Sequence, residues 1–212
     1  FSAGALCSRI FSAGIIVTKI PTNIAATSTI GWKWKWFSLC TSLEVVNHES
    51  NAIENIYTAP DDPEYYQHVE AFGRMLHDAL RGKPPNILPL HYALLHGILP
   101  SAGRFRKVNV RVGGYVSPNC AAVTRLMHAF SMPHSADLKA PSGGLSERRC
   151  WHYHHWFESI HPFEDGNGRT GRLIFAQLTL MAGRDLPVIY ANEKDAYYQE
   201  IIDWRKEHAE LP

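Results

Sequence analysis

The stretch from Asn167 to Met181 is apolar on nearly every side beyond its first turn. A helix with that pattern has no face to give to water, so other elements must enclose it. The chain therefore has to supply amphipathic partners, and helical spacing supplies them. Leu43, Val46, Ser50, Ile53 and Tyr57 recur at steps of three and four, which predicts a one-sided helix over about 41–57 that ends before Pro60. Tyr65, Val69, Phe72, Leu76 and Leu80 predict the buried stripe of a second helix, stopped by Gly82 and Pro84-Pro85. Leu90, Leu94 and Leu95 carry a third, from near Pro89 to the break at Pro100 and Gly103.

Between Arg106 and Pro118 the period changes to two. Val108, Val110 and Val112 alternate with Lys107, Asn109 and Arg111 ahead of Gly113-Gly114, which is a hairpin signal. Ser117 with Pro118 then predicts the start of a helix through Val123, Leu126, Met127 and Phe130. The polar run from Pro133 to Gly144 reads as a loop. Cys150, Tyr153, Phe157 and Ile160 return to helical spacing and deliver the chain to His161, and a last helix over Glu193 to His208 buries Tyr197, Ile201 and Trp204. The expected fold is all-α with one small β-hairpin.

With 212 residues, 45% of them hydrophobic, and 21 Lys+Arg against 20 Asp+Glu, the chain has the composition of one globular domain, and disorder is excluded. The formal charge of +1 speaks against nucleic acid as the main partner, because neutralising phosphates demands a clear Lys and Arg excess on one face. Cysteines at 7, 40, 120 and 150 form no CxxC pair or zinc spacing and read as reduced thiols. The apolar stretch Ile10 to Val17 is broken at Ser12 and Gly14 and falls far short of the roughly 20 residues of a membrane span. A cytoplasmic protein without membrane contact is expected. Residues 1–40 lack acidic residues and repeat FSAG at 1 and 11; they read as an extension of unclear role. Within them, Trp32-Lys33-Trp34-Lys35-Trp36 alternates as a strand would, but two lysines without a wider basic field do not make a nucleic-acid platform.

The chemistry concentrates in His161-Pro162-Phe163-Glu164-Asp165-Gly166-Asn167-Gly168-Arg169-Thr170-Gly171-Arg172, between the end of one helix and the start of the enclosed one. Gly166 and Gly168 free the backbone to turn N–H groups toward one point, and the new helix adds unpaired donors and a positive dipole end. An anion belongs in such a nest. Arg169 and Arg172, three apart, project the same way and can fork onto further phosphate oxygens. Asp165 offers the hard carboxylate that Mg²⁺ bridging phosphates requires, and His161 a base that titrates near neutrality. Phosphate, metal and base in one loop imply transfer of a phosphorus-containing group to a hydroxyl.

This stretch matches, at every specified position, the HPFx(D/E)GNGRxxR signature of Fic-domain proteins, and the chain resembles that family from residue 41 to about 205. The resemblance implies a Fic-type helical bundle with a small β-hairpin flap, occupying 41–212. It implies ATP and Mg²⁺ as substrate and cofactor, and AMP transfer to a Ser, Thr or Tyr hydroxyl of a target protein. By position, His161 resembles the general base and Asp165 the Mg²⁺ ligand. Gly166, Asn167 and Gly168 resemble the anion hole, Arg169 the group that steadies the departing pyrophosphate, and Arg172 the grip on the γ-phosphate. Phe163 resembles the loop's inward anchor. The hairpin, with Lys107, Val108, Asn109, Val110 and Arg111, resembles the flap that pairs with an extended target segment.

Ser50-Asn51-Ala52-Ile53-Glu54-Asn55 matches the family's inhibitory pattern (S/T)xxxE(G/N). The resemblance implies that Ser50 and Glu54, on one helix face, take Arg172 away from ATP. The same glutamate in some relatives helps remove AMP from a modified target, so a de-AMPylase remains open, as do a silent nucleotide-binding or toxin–antitoxin module and a homodimer. Phosphate transfer is disfavoured by Gly168, where relatives of that kind carry Lys. His152, His154 and His155 read as packing groups rather than metal ligands, Tyr197 as a core residue, and Glu158 as a charge on a solvated face.

Overall fold

The computed structural model describes residues 44–57, 59, 62–138 and 145–209. The Trp-Lys alternation and Leu43 lie outside the described residues. Helix α1 reaches from the first described residue, 44, to 53. There follow α2 (Pro63–Leu80), α3 (Ile87–Leu95), strands β1 (Arg111–Val112) and β2 (Tyr115–Val116), α4 (Val123–Leu138), α5 (Glu147–Ile160), α6 (Asn167–Met181) and α7 (Lys194–Glu207). Among the described residues the fold is all-α with one antiparallel hairpin, in which Arg111 faces Val116 and Val112 faces Tyr115.

As its pattern demands, α6 is enclosed, by α5, α2 and α3. Its Leu173, Ile174, Phe175, Ala176 and Leu178 share one core with Tyr153, Phe157 and Ile160 of α5, Phe72 and Met75 of α2, Leu94 and Leu95 of α3, and Phe130 of α4. Burying each such large apolar side chain contributes about 1.5–3 kcal/mol. Phe130 meets Phe157 at 5.9 Å and Trp156 at 5.5 Å between ring centroids, which joins α4 to α5. Ser146 caps α5 through Arg149 N–H, and Asp62 caps α2 through Glu64 N–H.

Four local expectations are corrected. Helix α1 stops at 53, where Asn55 turns the chain with φ 59°, so Tyr57 leaves the stripe and is 76% exposed. In α2 the inward face is His68, Phe72, Met75 and Ala79, with Tyr65, Val69, Leu76 and Leu80 half-buried. The rotation brings the His68 ring to Asn51 Oδ1 at 3.0 Å, a polar contact in the interior that a hydrophobic stripe does not announce. Helix α4 follows a 3-10 turn capped by Asn119 rather than by Ser117, and its ladder runs through Pro133 to Leu138 where a loop was expected. The hairpin pairs only two residues per strand. Val108, Val112 and Val116 are exposed, so the alternation has no buried face to fix a longer ladder.

Candidate active site

Helix α5 ends on His161, its C-cap, held in the left-handed region at φ 49°, ψ 62°. A non-glycine residue there carries strain that its surroundings must hold. Three side chains hold it. Asn167 clamps the loop with both amide atoms, accepting from Phe163 N–H at 2.9 Å and donating to Phe163 O at 3.0 Å. The His91 ring stacks on Phe163 at 3.6 Å. Its Nδ1 accepts from Gly103 N–H at 2.8 Å, so Nε2 carries the proton and donates to Asp165 O at 3.0 Å. Arg106, buried away from any carboxylate bond, donates to His161 O at 2.8 Å and Val108 O at 2.9 Å.

The loop closes at Gly166, φ 74°, where a Cβ would also come within 2.4 Å of Leu95 Cδ1. Glycine is required there by conformation and by space. Helix α6 starts without a side-chain cap, so its first-turn N–H groups remain open to a ligand. Asp165 is exposed beside this turn, with Oδ1 accepting from Gly166 N–H at 2.6 Å.

Both arginines of the loop are buried and engaged by carboxylates from the N-terminal side. Arg172 donates from Nε to Ser50 Oγ at 2.9 Å, and from Nη2 to Ser50 O at 2.8 Å and Glu54 Oε1 at 2.7 Å. Burial opposes its charge, yet Tyr197, Glu54 and Glu158 around it keep the guanidinium above its ordinary range. Glu54 reaches so far over the first turn of α6 that a Cβ on Gly168 would lie 2.2 Å from its Oε1. Arg169 pairs with Glu64 of α2 at 3.3 Å.

His161, Glu158, the hairpin's Val112 to Tyr115, and Tyr198 and Arg205 of α7 line a cavity of about 720 Å³. Burial, then Arg205, lowers the His161 imidazole to about 4, so the ring is neutral at pH 7. Arg205 lies 3.8 Å over the Tyr115 ring and donates to Glu158 O at 2.8 Å, and Tyr115 OH donates to Ser159 O at 3.1 Å. These contacts pin the hairpin to α5. Of the expected flap residues, Lys107, Val108 and Asn109 are exposed, Val110 is half-buried and only Arg111 is in a strand; Asn109 Oδ1 is taken by Cys120 N–H at 2.8 Å. The hairpin's face toward His161 is the Gly113-Gly114 turn and Tyr115 instead.

Glu158 is buried, not solvated, and burial raises its carboxyl to about 7. His154 bonds Gly171 O at 3.0 Å and Tyr197 Oη at 2.9 Å, so it is a packing group. Among the described residues no group of three or more His, Cys, Asp or Glu is placed to hold a metal. Sequence reasoning missed His91, Arg106, Tyr115, Glu64 and Arg205 because each acts through a partner more than ten residues away.

Residues 83–179 match the Fic/DOC family. Among its relatives are the proteins named protein adenylyltransferase Fic of Drosophila yakuba, 33% identical over 114 residues, and of Drosophila persimilis, 34% identical over 118 residues. Each match covers 53% of this chain, but 23% of the first protein and 22% of the second. Similar solved structures are a Fic-domain-containing signaling protein of Bacteroides thetaiotaomicron (TM-score 0.62, 20% identity, 94% of this chain and 80% of that one) and a Fic family protein of Desulfovibrio desulfuricans (TM-score 0.61, 19% identity, 97% and 67%). At those identities the structures speak for the fold. Glu54 and α1 precede the residues matched to the family. Among the described residues no helix is long and apolar enough to cross a membrane.

Proposed function

We propose that this chain is a protein adenylyltransferase that moves AMP from ATP to a Ser, Thr or Tyr hydroxyl of a target protein, and that Glu54 restrains it. The observation that carries the reading is the approach of Glu54 to Arg172 at 2.7 Å, above the open first turn of α6. A carboxylate stands where a polyphosphate would find its donors.

In this mechanism neutral His161 takes the proton of the target hydroxyl as its oxygen attacks the α-phosphorus. The bond from that phosphorus to the bridging oxygen breaks, and pyrophosphate leaves. First-turn N–H groups of Asn167 and Gly168 receive the anionic oxygens, Gly166 N–H being held by Asp165 Oδ1, while Arg169 steadies the departing pyrophosphate and Arg172 holds the γ-phosphate. Positioning and charge, rather than covalent chemistry, lower the barrier. The exposed Asp165 carboxylate, the hard oxygen donor of the loop, suits Mg²⁺, whose remaining ligands would be phosphate oxygens and water. Bound there, Mg²⁺ would neutralise charge developing on the phosphates. The cavity under the hairpin suits the nucleoside, and the hairpin edge suits an extended target segment.

The test uses ATP labelled at the α or the γ position with wild type, Glu54→Gly and His161→Ala, scoring label on the protein and on a lysate. Label from the α position alone, strongest in Glu54→Gly and lost in His161→Ala, is expected. Because Glu54 lies over the same turn, release of AMP from a modified target by wild type, with no label in any variant, would move the assignment to AMP removal.

A further inference from the structure

Arg172 carries a permanent charge in the interior. Its present hydrogen-bond partners, Ser50 and Glu54, both belong to α1 and the turn that ends it. If Glu54 lets go so that a nucleotide can enter, Ser50 is on the same element and cannot be counted on to stay. A buried guanidinium left without a counter-charge does not hold its place; it moves toward water or the structure yields.

The structure contains a replacement on a different helix, one packed into the main core. Glu158 stands on α5, within the core, 5% exposed, with Oε1 buried and without a hydrogen-bond partner. Nη1 of Arg172 is likewise buried and without a partner. The two groups feel one another's charge. Gly171 leaves the room: a Cβ there would lie 2.2 Å from Glu158 Oε1. One unused acceptor and one unused donor, of opposite charge, thus lie within electrostatic reach of one another, with no ion pair between them while Glu54 holds Arg172.

We propose that Glu158 is a positioning residue for Arg172, the carboxylate that keeps this guanidinium in the site and in charge balance once Glu54 has left it. The inference rests on the reading of Arg172 as a γ-phosphate ligand restrained by Glu54. Glu158 touches no phosphate itself. It acts by fixing the direction from which Arg172 meets one, and burial, which raises its carboxyl, keeps that charge switchable until Glu54 withdraws.

Calorimetric titration on the full chain separates these roles. Glu54→Gly is titrated with ATP and with ADP, which lacks the γ-phosphate, and so is the same variant carrying Glu158→Gln; both are repeated with Arg172→Ala added. Losing one charge-assisted contact behind Arg172 is expected to weaken ATP roughly tenfold or more, to weaken ADP far less, and to have no effect once Arg172 is alanine. Glu158→Asp, which keeps the charge, recovers part of the loss and serves if the glutamine variant does not fold. Equal ATP affinity with and without Glu158, an equal loss for ATP and ADP, or a loss that persists without Arg172 would each overturn the proposal. Failure of Glu54→Gly itself to bind ATP would instead overturn the functional reading beneath it.

Discussion

Replacing Glu54 by glycine removes the carboxylate 2.7 Å from Arg172 Nη2, in a pair whose side chains are 31% and 6% exposed. Charge-assisted hydrogen bonds contribute about 1.5–3 kcal/mol, and the partial solvation of Glu54 places this one near 1.5–2. Residue 54 lies in the turn beyond the helical part of α1, so the glycine adds little helix-propensity cost. Two consequences of opposite sign follow. The fold loses about 2 kcal/mol, which for a domain of this size is a fall in Tm of about 4–8 °C. The γ-phosphate no longer has to displace a carboxylate, so occupancy of the productive pose rises roughly 10- to 30-fold at subsaturating ATP. Transfer of α-labelled AMP and melting, measured on the same preparations, check both. A variant that melts lower but labels no faster would show that the pair is structural and refute the reasoning.

The acid limb of kcat/KM for the Glu54→Gly, Glu158→Gln double variant, in which residue 158 cannot titrate, is expected near pH 4 rather than 6.5, because burial and Arg205 lower His161 and the base works in its neutral form. An unshifted imidazole would lose about tenfold between pH 7.5 and 5.5, whereas a nearly flat profile is expected there, and a tenfold fall would count against His161 as the base. Gly171→Ala would place Cβ 2.2 Å from Glu158 Oε1 and 3.0 Å from Phe157 Cδ1; overpacking of about 1–3 kcal/mol is expected, and an unchanged denaturant midpoint would show that the space is not filled as described. Ile53→Ala, which thins the seat of α1 without touching the carboxylate, is expected to raise AMP transfer several-fold while Glu54 is still present, and equal labelling would show that α1 does not have to loosen for nucleotide to enter.

Elements with a long, one-sided or enclosed apolar pattern were legible in the sequence. The enclosed α6 runs over Asn167–Met181, and α5 and α7 bury the residues whose spacing announced them. Legibility failed where polar contacts overrode the stripe. His68 turns α2 toward Asn51, and Arg106 gathers backbone carbonyls at the point where a strand pattern begins. Glu158 was misread for the same reason. A glutamate in a helix is usually solvated, and only the packing of α5 against α6 shows that this one faces an arginine. The loop from His161 to Arg172 stands out in the sequence as a candidate site because its residue types and spacing are local. Its supports do not, since His91, Arg106 and Glu64 come from elsewhere in the chain.

Helix α1, which carries the proposed restraint, is seated in two places. The phosphate nest, His161 and the residues that splint them are built on α5, α6 and α3, whose side chains share the main core. Most of that burial would have to be lost before the loop could move. Helix α1 also joins that core through Val46, whereas its Ile53 joins Tyr197 and Ile201 of α7 in a small second cluster, helped by Glu49 accepting from Ala191 N–H at 2.8 Å. Opening confined to such a satellite costs less than global unfolding, and elements of this kind populate the low-stability end of native fluctuations. The carboxylate that holds Arg172 therefore sits beside the more lightly seated end of α1. Tyr197 ties the two together, for it packs on Ile53, bonds His154 and neighbours Arg172. Release of that end of α1 would take Ile53 off this tyrosine.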